Sequence, residues 1–423
     1  MTAERRPRGN VRWVICGLLF AAVVLSYVDR LVLPVLKPSL QAQYGWSEQG
    51  YANLAIWFQG AYGLAYVLFG RLVDRVGARI GYALAVTLWT IGHVAHVLFT
   101  STLGMAFARV PLAIGEAGAF PAALAATGEW FPKSERALAI GIFNAGSNVG
   151  AIVTPLIVPV IAMTFGWRMA FVATGALTIL WLIAWLGFYR RPREHSAVSA
   201  EERAWIEREP AERARPIAWR KLLGLRQTWA YMLGRFLIDP VWWTFLFWLP
   251  DFFNRQYHVK MLDFGPPLVA VYLLADVGSI GGGWLSSRLL SRGWQTGRAR
   301  KTAMFACALF ALPIAFAAHA PTLWTAVLLI GLACAAHQGF SANVYALPGD
   351  LFPRGRAGSV IGLGGLTGAL GGMIMAKFAG TILATLGSYQ PIFLVASCAY
   401  LVALGVIHLL APRYAPVAPE QIA

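Results

Sequence analysis

The chain has 423 residues, of which 58% are hydrophobic and only 13% charged. Soluble domains run near 45–50% apolar and about 25% charged, so an ordinary soluble protein, a small secreted scaffold, a coiled coil and a disordered chain are all excluded. The basic excess, 35 Lys+Arg against 19 Asp+Glu, has three possible meanings: nucleic acid, an anionic substrate, or membrane topology. The position of each charge decides among them.

Long apolar runs fall at 12–36, 49–69, 80–100, 103–126, 138–162, 169–189, 229–252, 266–287, 302–319, 322–346, 358–384 and 389–411. Each approaches the roughly 20 residues that cross a bilayer as a helix. The first follows Arg5, Arg6, Arg8 and Arg12 but is too long for a signal-peptide core, holds Asp29 and Arg30 late, and has no small-residue cleavage site. Twelve runs without a long extramembrane domain predict an all-α polytopic membrane protein. They divide into an N-terminal six-helix bundle (1–189), a linker (190–228) and a C-terminal six-helix bundle (229–423).

With the N-terminus in the cytoplasm, 27 of the 35 basic residues fall on cytoplasmic segments. Four lie on the other side (Lys37, Arg168, Arg255, Lys260) and four inside runs (Arg30, Arg109, Arg235, Lys377). This positive-inside pattern puts both termini in the cytoplasm and makes nucleic acid unnecessary as a partner. The linker carries 10 basic and 6 acidic residues and one predicted helix, with Ser199 as N-cap and Glu202 three positions on. It reads as a solvated strap on the membrane surface.

The halves repeat. Gly128-Glu129-Trp130-Phe131-Pro132-Lys133 aligns on Gly349-Asp350-Leu351-Phe352-Pro353-Arg354, an offset of 221, and Gly141 and Gly150 then meet Gly362 and Gly371. Gly70-Arg71-Leu72-Val73-Asp74-Arg75 has a degraded partner in Gly283-Trp284-Leu285-Ser286-Ser287-Arg288. Parallel repeats meeting around a central cavity are a transporter layout. Gly70-x-x-x-Asp74-Arg75-x-Gly77-x-Arg79, between runs 2 and 3, resembles the signature loop of the major facilitator superfamily, with Ile80 where a basic residue is usual. The glycines permit a tight turn, Asp74 is free to cap or pair with a neighbouring helix end, and Arg75 and Arg79 hold the loop at the cytoplasmic face. These five residues tune conformation and do not touch substrate.

Ionisable groups inside a membrane are costly and mark functional sites by default. Eight lie inside the runs away from their ends: the four basic residues above with Asp29, Glu116, Asp239 and Asp276. Arg109 and Glu116, seven apart, share a helix face about two turns apart. Tyr27 and Arg30 share another at i,i+3. Two readings compete for the first half. One is a pair of packing salt bridges, Asp29 with Arg109 or Glu116 with Arg30. The other, which fits better, is a carboxylate site coupled to a proton, since guanidinium grips a planar anion bidentately and a buried carboxylate can load and release a proton. Arg235 and Asp239 at i,i+4 most simply pair with each other, and Asp276 with Lys377.

Ser26-Tyr27-Val28-Asp29-Arg30, Arg109 with Gly115-Glu116-Ala117, and Glu129-Trp130-Phe131-Pro132 with Glu135-Arg136 resemble the anion:cation symporter branch of that superfamily. Phe143-Asn144-Ala145-Gly146-Ser147, Arg235-Phe236-Leu237-x-x-Pro240-x-Trp242 and Ala336-His337-Gln338 resemble its hexuronate and galactonate carriers. The resemblance implies that Arg30 holds a substrate carboxylate and that Tyr27 and Tyr62 contact hydroxyls. Asp29 and Glu116 then carry protons while trading pairing with Arg109, and Asn144 joins the binding set. In the second half His337 falls on Glu116 by the repeat and, with Gln338, is a pocket candidate. Trp243 is placed to stack on a sugar ring, whereas Trp248 beside Pro250 reads as an interfacial belt residue. Gly364-Gly365-Leu366-Thr367 departs from the branch in lacking an asparagine. His93 and His96 read as peripheral packing residues.

No catalytic, metal-binding or nucleotide-hydrolysing motif stands in the chain, so an enzyme is not expected and no cofactor is called for. A proton gradient supplies the energy. The expectation is a monomeric, multi-pass protein of a bacterial-type inner (plasma) membrane that takes up an organic anion with protons, first a sugar acid such as glucuronate or galacturonate. A galactonate, another aldonate or a dicarboxylate comes second. A proton-driven exporter ranks below, because Thr154 and Val158-Pro159 break the exporter pattern of run 5, and a transport-dead sensor ranks lowest.

Overall fold

The computed structural model describes residues 9–208, 219–352 and 358–418, without the side chains of Lys133 and Ala137. Arg5, Arg6, Arg8, Pro353 and Arg354 lie outside the described residues. Thirteen α-helices carry that part of the chain: α1 Val11–Tyr44, α2 Glu48–Ala95, α3 Thr102–Trp130, α4 Lys133–Phe165, α5 Trp167–Phe188, α6 Ala200–Glu207, α7 Trp219–Leu223, α8 Arg226–Tyr257, α9 Gly265–Ser291, α10 Thr296–Ala311, α11 Leu323–Leu351, α12 Gly358–Leu386 and α13 Gln390–Leu410. A 3-10 segment, Leu312–His319, extends α10. Polar caps start several of them. Ser47, Ser101 and Thr322 accept from backbone amides three residues on, at 3.0, 3.1 and 3.2 Å, the usual N-cap arrangement.

Ten of these segments are long and apolar enough to cross a membrane, and they give twelve crossings for two reasons. The segment Glu48–Leu98 has 51 residues, more than twice what one crossing needs. It doubles back at Gly77, where φ is 80° and ψ 165°, a region open essentially to glycine alone. The reversal brings Gly81 against Val73, whose Cγ2 lies 2.9 Å from where a Gly81 Cβ would sit. Helix α8, the other addition, is long enough at 32 residues but less apolar, since it carries Arg235, Asp239, Asp251 and Arg255. The twelve crossings match the twelve runs read from the sequence.

Large apolar side chains such as Leu64, Ile91, Phe107, Ile280, Phe316 and Leu409 are exposed around the perimeter. A surface of that kind belongs against lipid. Small residues bring helices close inside. At Gly115 a Cβ would lie 2.7 Å from Trp89 Cβ, so the second half of α2 and α3 touch backbone to backbone, which aligns Arg109 and Glu116 with their neighbours.

Two expectations change here. Ser199 does cap α6, accepting from Glu202 N at 3.1 Å. Glu202, however, does not float in a solvated strap: it is fully buried and accepts from Arg12 N (3.2 Å) and Arg12 Nη1 (3.0 Å). The linker helix is thereby tied to the start of α1, where a buried guanidinium needs a counter-ion. Second, Asp74 and Arg75 are exposed and form no ion pair among the described residues, whereas Arg79 Nη2 donates to Leu186 O at the end of α5.

Gly77→Ala should lower the melting temperature by several degrees, because its conformation costs a side chain of order 1–3 kcal/mol. Gly70→Ala, helical and with open space around its Cβ position, should leave it unchanged; equal effects in a thermal-shift assay would contradict the turn assignment.

Candidate functional site

Arg30 is the centre of the interior. On α1 it is buried, and its Nε donates to Glu116 Oε2 on α3 at 2.8 Å. Four aromatic rings surround its guanidinium, with Cζ 4.6 Å from the Tyr27 ring, 5.4 Å from Tyr62, 5.6 Å from Phe58 and 5.3 Å from Trp243. Trp243 comes from α8, in the other half of the molecule, and meets Tyr62 and Phe58 edge to face at 5.8 and 6.0 Å. A guanidinium over aromatic faces gains about 0.5–2 kcal/mol per ring contact when desolvated. The cage therefore holds the cation in place while leaving most of its donors unspent.

Arg109 lies beside it. Its Nη1 donates to Arg30 O at 3.2 Å, its Cζ is 5.0 Å from the Phe58 ring and 5.8 Å from Phe247, and its buried Nε has no hydrogen-bond partner. Glu116 Oε1 is likewise buried and unpartnered. Among the described residues Arg109 pairs with no carboxylate, so the cage holds two guanidinium groups and one acid. One positive charge is left over, in a position walled by aromatic rings.

Asp29 points the other way. Its Oδ2 accepts from Thr178 Oγ1 at 2.9 Å and Trp89 Nε1 at 3.2 Å, and its Oδ1 is 3.2 Å from His93 Nε2. His93 Nε2 is also 2.7 Å from Thr174 Oγ1. Asp29 thus contacts the second half of α2 and α5, deep in the N-terminal bundle, and does not meet Arg109. Adjacent positions on a helix differ by about 100°, which is why Arg30 can face the cage while Asp29 faces away. His93 and His96 are fully buried, so the peripheral reading fails: His93 sits against Asp29. Its signal in the sequence was a histidine on an apolar run, too generic to place.

Of the remaining site candidates, Tyr27, Tyr62 and Trp243 are brought together by the fold. His337 is not. It is hydrogen-bonded to Tyr400 OH (3.0 Å) and Ser341 Oγ (3.1 Å) and stacks on Trp242 at 5.1 Å, packed within the C-terminal bundle. Gln338 is half-buried and Asn144 exposed, and among the described residues neither side chain hydrogen-bonds to a cage residue. Arg235 and Asp239 do pair, at 2.6 Å. Asp276 does not pair with Lys377: it accepts a hydrogen bond from Asn148 of α4, and Lys377 is exposed. The repeat places two helices at similar depth without fixing which faces meet.

The two halves are fastened at the end remote from Gly77. Lys37 Nζ, fully buried, is 3.0 Å from both Glu48 Oε2 and Asp251 Oδ2. Arg255 Nε is 2.7 Å from Asp251 Oδ2, Arg255 also pairs with Glu48, and Tyr389 OH donates to Asp251. Tyr51 OH donates to Phe247 O at 2.8 Å, and its ring lies edge to face on Trp248 at 5.5 Å. Trp248 is buried in this junction and is no belt residue; α8 continues past Pro250 to Tyr257. Towards the Gly77 end, past the Asn148–Asp276 contact, no hydrogen bond or ion pair among the described residues joins the halves directly.

Comparison with known proteins decides the family. The family profile of the Major Facilitator Superfamily matches residues 18–376. The chain belongs to that superfamily. The hexuronate transporter of Escherichia coli (strain K12) is 31% identical over 398 residues, 92% of this chain and 91% of the relative. The galacturonate transporter of Dickeya chrysanthemi is 34% identical over 282 residues, 65% of this chain and 81% of the relative. The D-galactonate transporter of Escherichia coli O6:H1 is 28% identical over 420 residues, 94% and 95%. In fold, a bacterial homologue of the human lysosomal transporter Spinster superposes with a TM-score of 0.72 at 20% identity, covering 96% of this chain and 97% of that one. The six-plus-six superfamily fold expected from the Gly70–Arg79 loop is the one observed.

Lys37→Met should release the fastened end, because breaking a buried ion pair on one side costs about 3–5 kcal/mol. Spin labels at exposed Gln43 and Gln256 should then report a longer, broader distance distribution; an unchanged one would remove Lys37 from the fastening.

Proposed function

We propose that the protein is a secondary active transporter that imports an organic anion by proton-coupled symport and alternating access, and that the anion is a sugar acid, first a hexuronate such as glucuronate or galacturonate. The observation that carries this reading is the uncompensated cation: Arg30 and Arg109 share one acid, Glu116, inside an aromatic cage. That excess positive charge attracts a carboxylate, and the faces of Tyr27, Tyr62 and Trp243 suit the apolar side of a pyranose ring while the phenols offer hydrogen bonds to hydroxyls.

In this scheme Glu116 and the substrate carboxylate compete for Arg30. Protonation of Glu116 releases the guanidinium to the substrate, and loss of the proton restores the internal pair. The Asp29 carboxyl, held by Thr178 and Trp89 and facing His93, is the second proton carrier, coupled to the cage through the backbone of α1 and not by direct pairing with Arg109. The distribution of basic residues supports a cytoplasmic Gly77 end, with the fastened end facing outward. In this scheme no step uses a cofactor or a covalent intermediate, and the protein acts as a monomer in an inner membrane.

The names of the relatives support a sugar acid, and one of them, the D-galactonate transporter, keeps an aldonate as the second reading. An exporter of cations is disfavoured by the same excess positive charge. Proteoliposomes should accumulate labelled galacturonate or glucuronate under an inward proton gradient, several-fold above galactonate and far above a dicarboxylate. Glu116→Gln should abolish gradient-driven accumulation while retaining counterflow exchange. Uptake of none of these acids, or gradient-driven accumulation surviving in Glu116→Gln, would overturn the proposal.

A further inference from the structure

A second concave site lies far from the cage, on the outer flank of the C-terminal bundle. Helices α10 and α13 and the chain after α13 enclose a cavity of about 1170 Å³, above the 300–1,000 Å³ typical of small-molecule sites. Its two ends differ in chemistry. One is lined by Phe305, Leu401 and Leu404, and the other by Arg298, Lys301 and Arg413. His408 borders the basic end as well.

The basic end has no acidic counterweight. Lys301 Nζ donates to the carbonyls of Ala411 (2.7 Å) and Pro412 (2.9 Å) and lies 3.3 Å from His408 Nδ1, all neutral partners that leave its charge unbalanced. Arg298 is exposed with its Cζ 4.6 Å over the Trp294 ring, and Arg413 is exposed. Among the described residues neither arginine pairs with a carboxylate. The acidic residue that borders the cavity, Asp350, is committed to Arg300 Nε at 3.1 Å and to Tyr414 OH at 3.0 Å.

The position sets the ligand. Phe305, Leu309 and Phe310 on α10 and Val402 and Leu409 on α13 are exposed beside the cavity, so its apolar end opens on the lipid-facing perimeter. Trp294, at the start of α10, and exposed Trp229 and Trp284 lie near the helix ends on the same side of the membrane, the level at which indole rings settle between headgroup and chain. A basic pocket between helices at that level matches an anionic headgroup. From this geometry we infer that the groove between α10, α13 and the following chain binds an anionic phospholipid, its phosphate against Arg298, Lys301 and Arg413 and one acyl chain along Phe305, Leu401 and Leu404. The chain after α13 is the wall that the lipid completes: Val417 N donates to Leu351 O at 2.8 Å, and with Lys301 and Tyr414 this holds it under the bundle. This inference is independent of which anion the cage carries.

The test uses the full-length protein, delipidated in detergent and then exposed to equal amounts of phosphatidylglycerol and phosphatidylcholine, with bound lipid counted by native mass spectrometry. The wild type should retain phosphatidylglycerol about five-fold or more over phosphatidylcholine. The double variant Arg298→Gln/Arg413→Gln, altering exposed side chains without ion-pair partners among the described residues, should lose that preference while keeping its thermal stability in detergent. Arg75→Gln, exposed on the other half, should keep it. Equal retention of the two lipids by the wild type, or an undiminished preference in the double variant, would overturn the inference. So would displacement of phosphatidylglycerol by millimolar inorganic phosphate, which would make the groove a free-anion site.

Discussion

The rest of the interior depends on one constraint: a guanidinium placed deep in a membrane protein has to be neutralised, and Arg30 is neutralised by an acid that it can lose. The Arg30–Glu116 contact at 2.8 Å is a buried ion pair, and such pairs contribute little net stability once desolvation is counted. That small margin is what makes the pair exchangeable. In the proposed transport cycle a substrate carboxylate would offer the same hydrogen bonds as Glu116, so the swap would be nearly balanced and a proton would tip it. The aromatic rings around Arg30 hold the cation in position whichever acid it faces. The unpartnered Nε of Arg109 and Oε1 of Glu116 mark where further bonds remain to be made.

The two halves contribute unequally to this centre although they repeat in fold. The N-terminal bundle supplies every charge in the cage, and the C-terminal bundle supplies Trp243 and Phe247. At the equivalent depth of the second half the acid is replaced by His337, which is tied to Tyr400 and Ser341. One half is thus electrically active and the other mainly a wall of rings, closed over the cage at one end by Lys37, Glu48, Asp251 and Arg255. Because that fastening joins the halves, its strength sets the ease of opening.

Much of this was legible in the sequence, for physical reasons that differ by residue. Helical crossings follow from apolar length, and the Gly77 reversal from a glycine between two runs. Tyr27 with Arg30 and Arg109 with Glu116 follow from helical spacing, which places pairs on one face of a single helix. What spacing cannot give is which faces of different helices meet. For that reason Asp29, for which Arg109 is one candidate partner, faces His93, Asp276, paired with Lys377 by depth, meets Asn148, and Trp248, set at the lipid interface, lies between the halves. Lys37, Asp251 and Arg255 sit at run ends, where charge is expected anyway, so nothing in their pattern announced a network.

The central claim is that substrate displaces Glu116 from Arg30 and leaves Glu116 protonated. Infrared difference spectroscopy on the reconstituted protein, with and without galacturonate, reads that event directly. The account predicts a new carbonyl band of a protonated carboxylic acid on substrate binding, absent in a Glu116→Gln variant that still binds the substrate. A band that persists in that variant, or no protonated-carboxyl signal at saturating substrate, would contradict it.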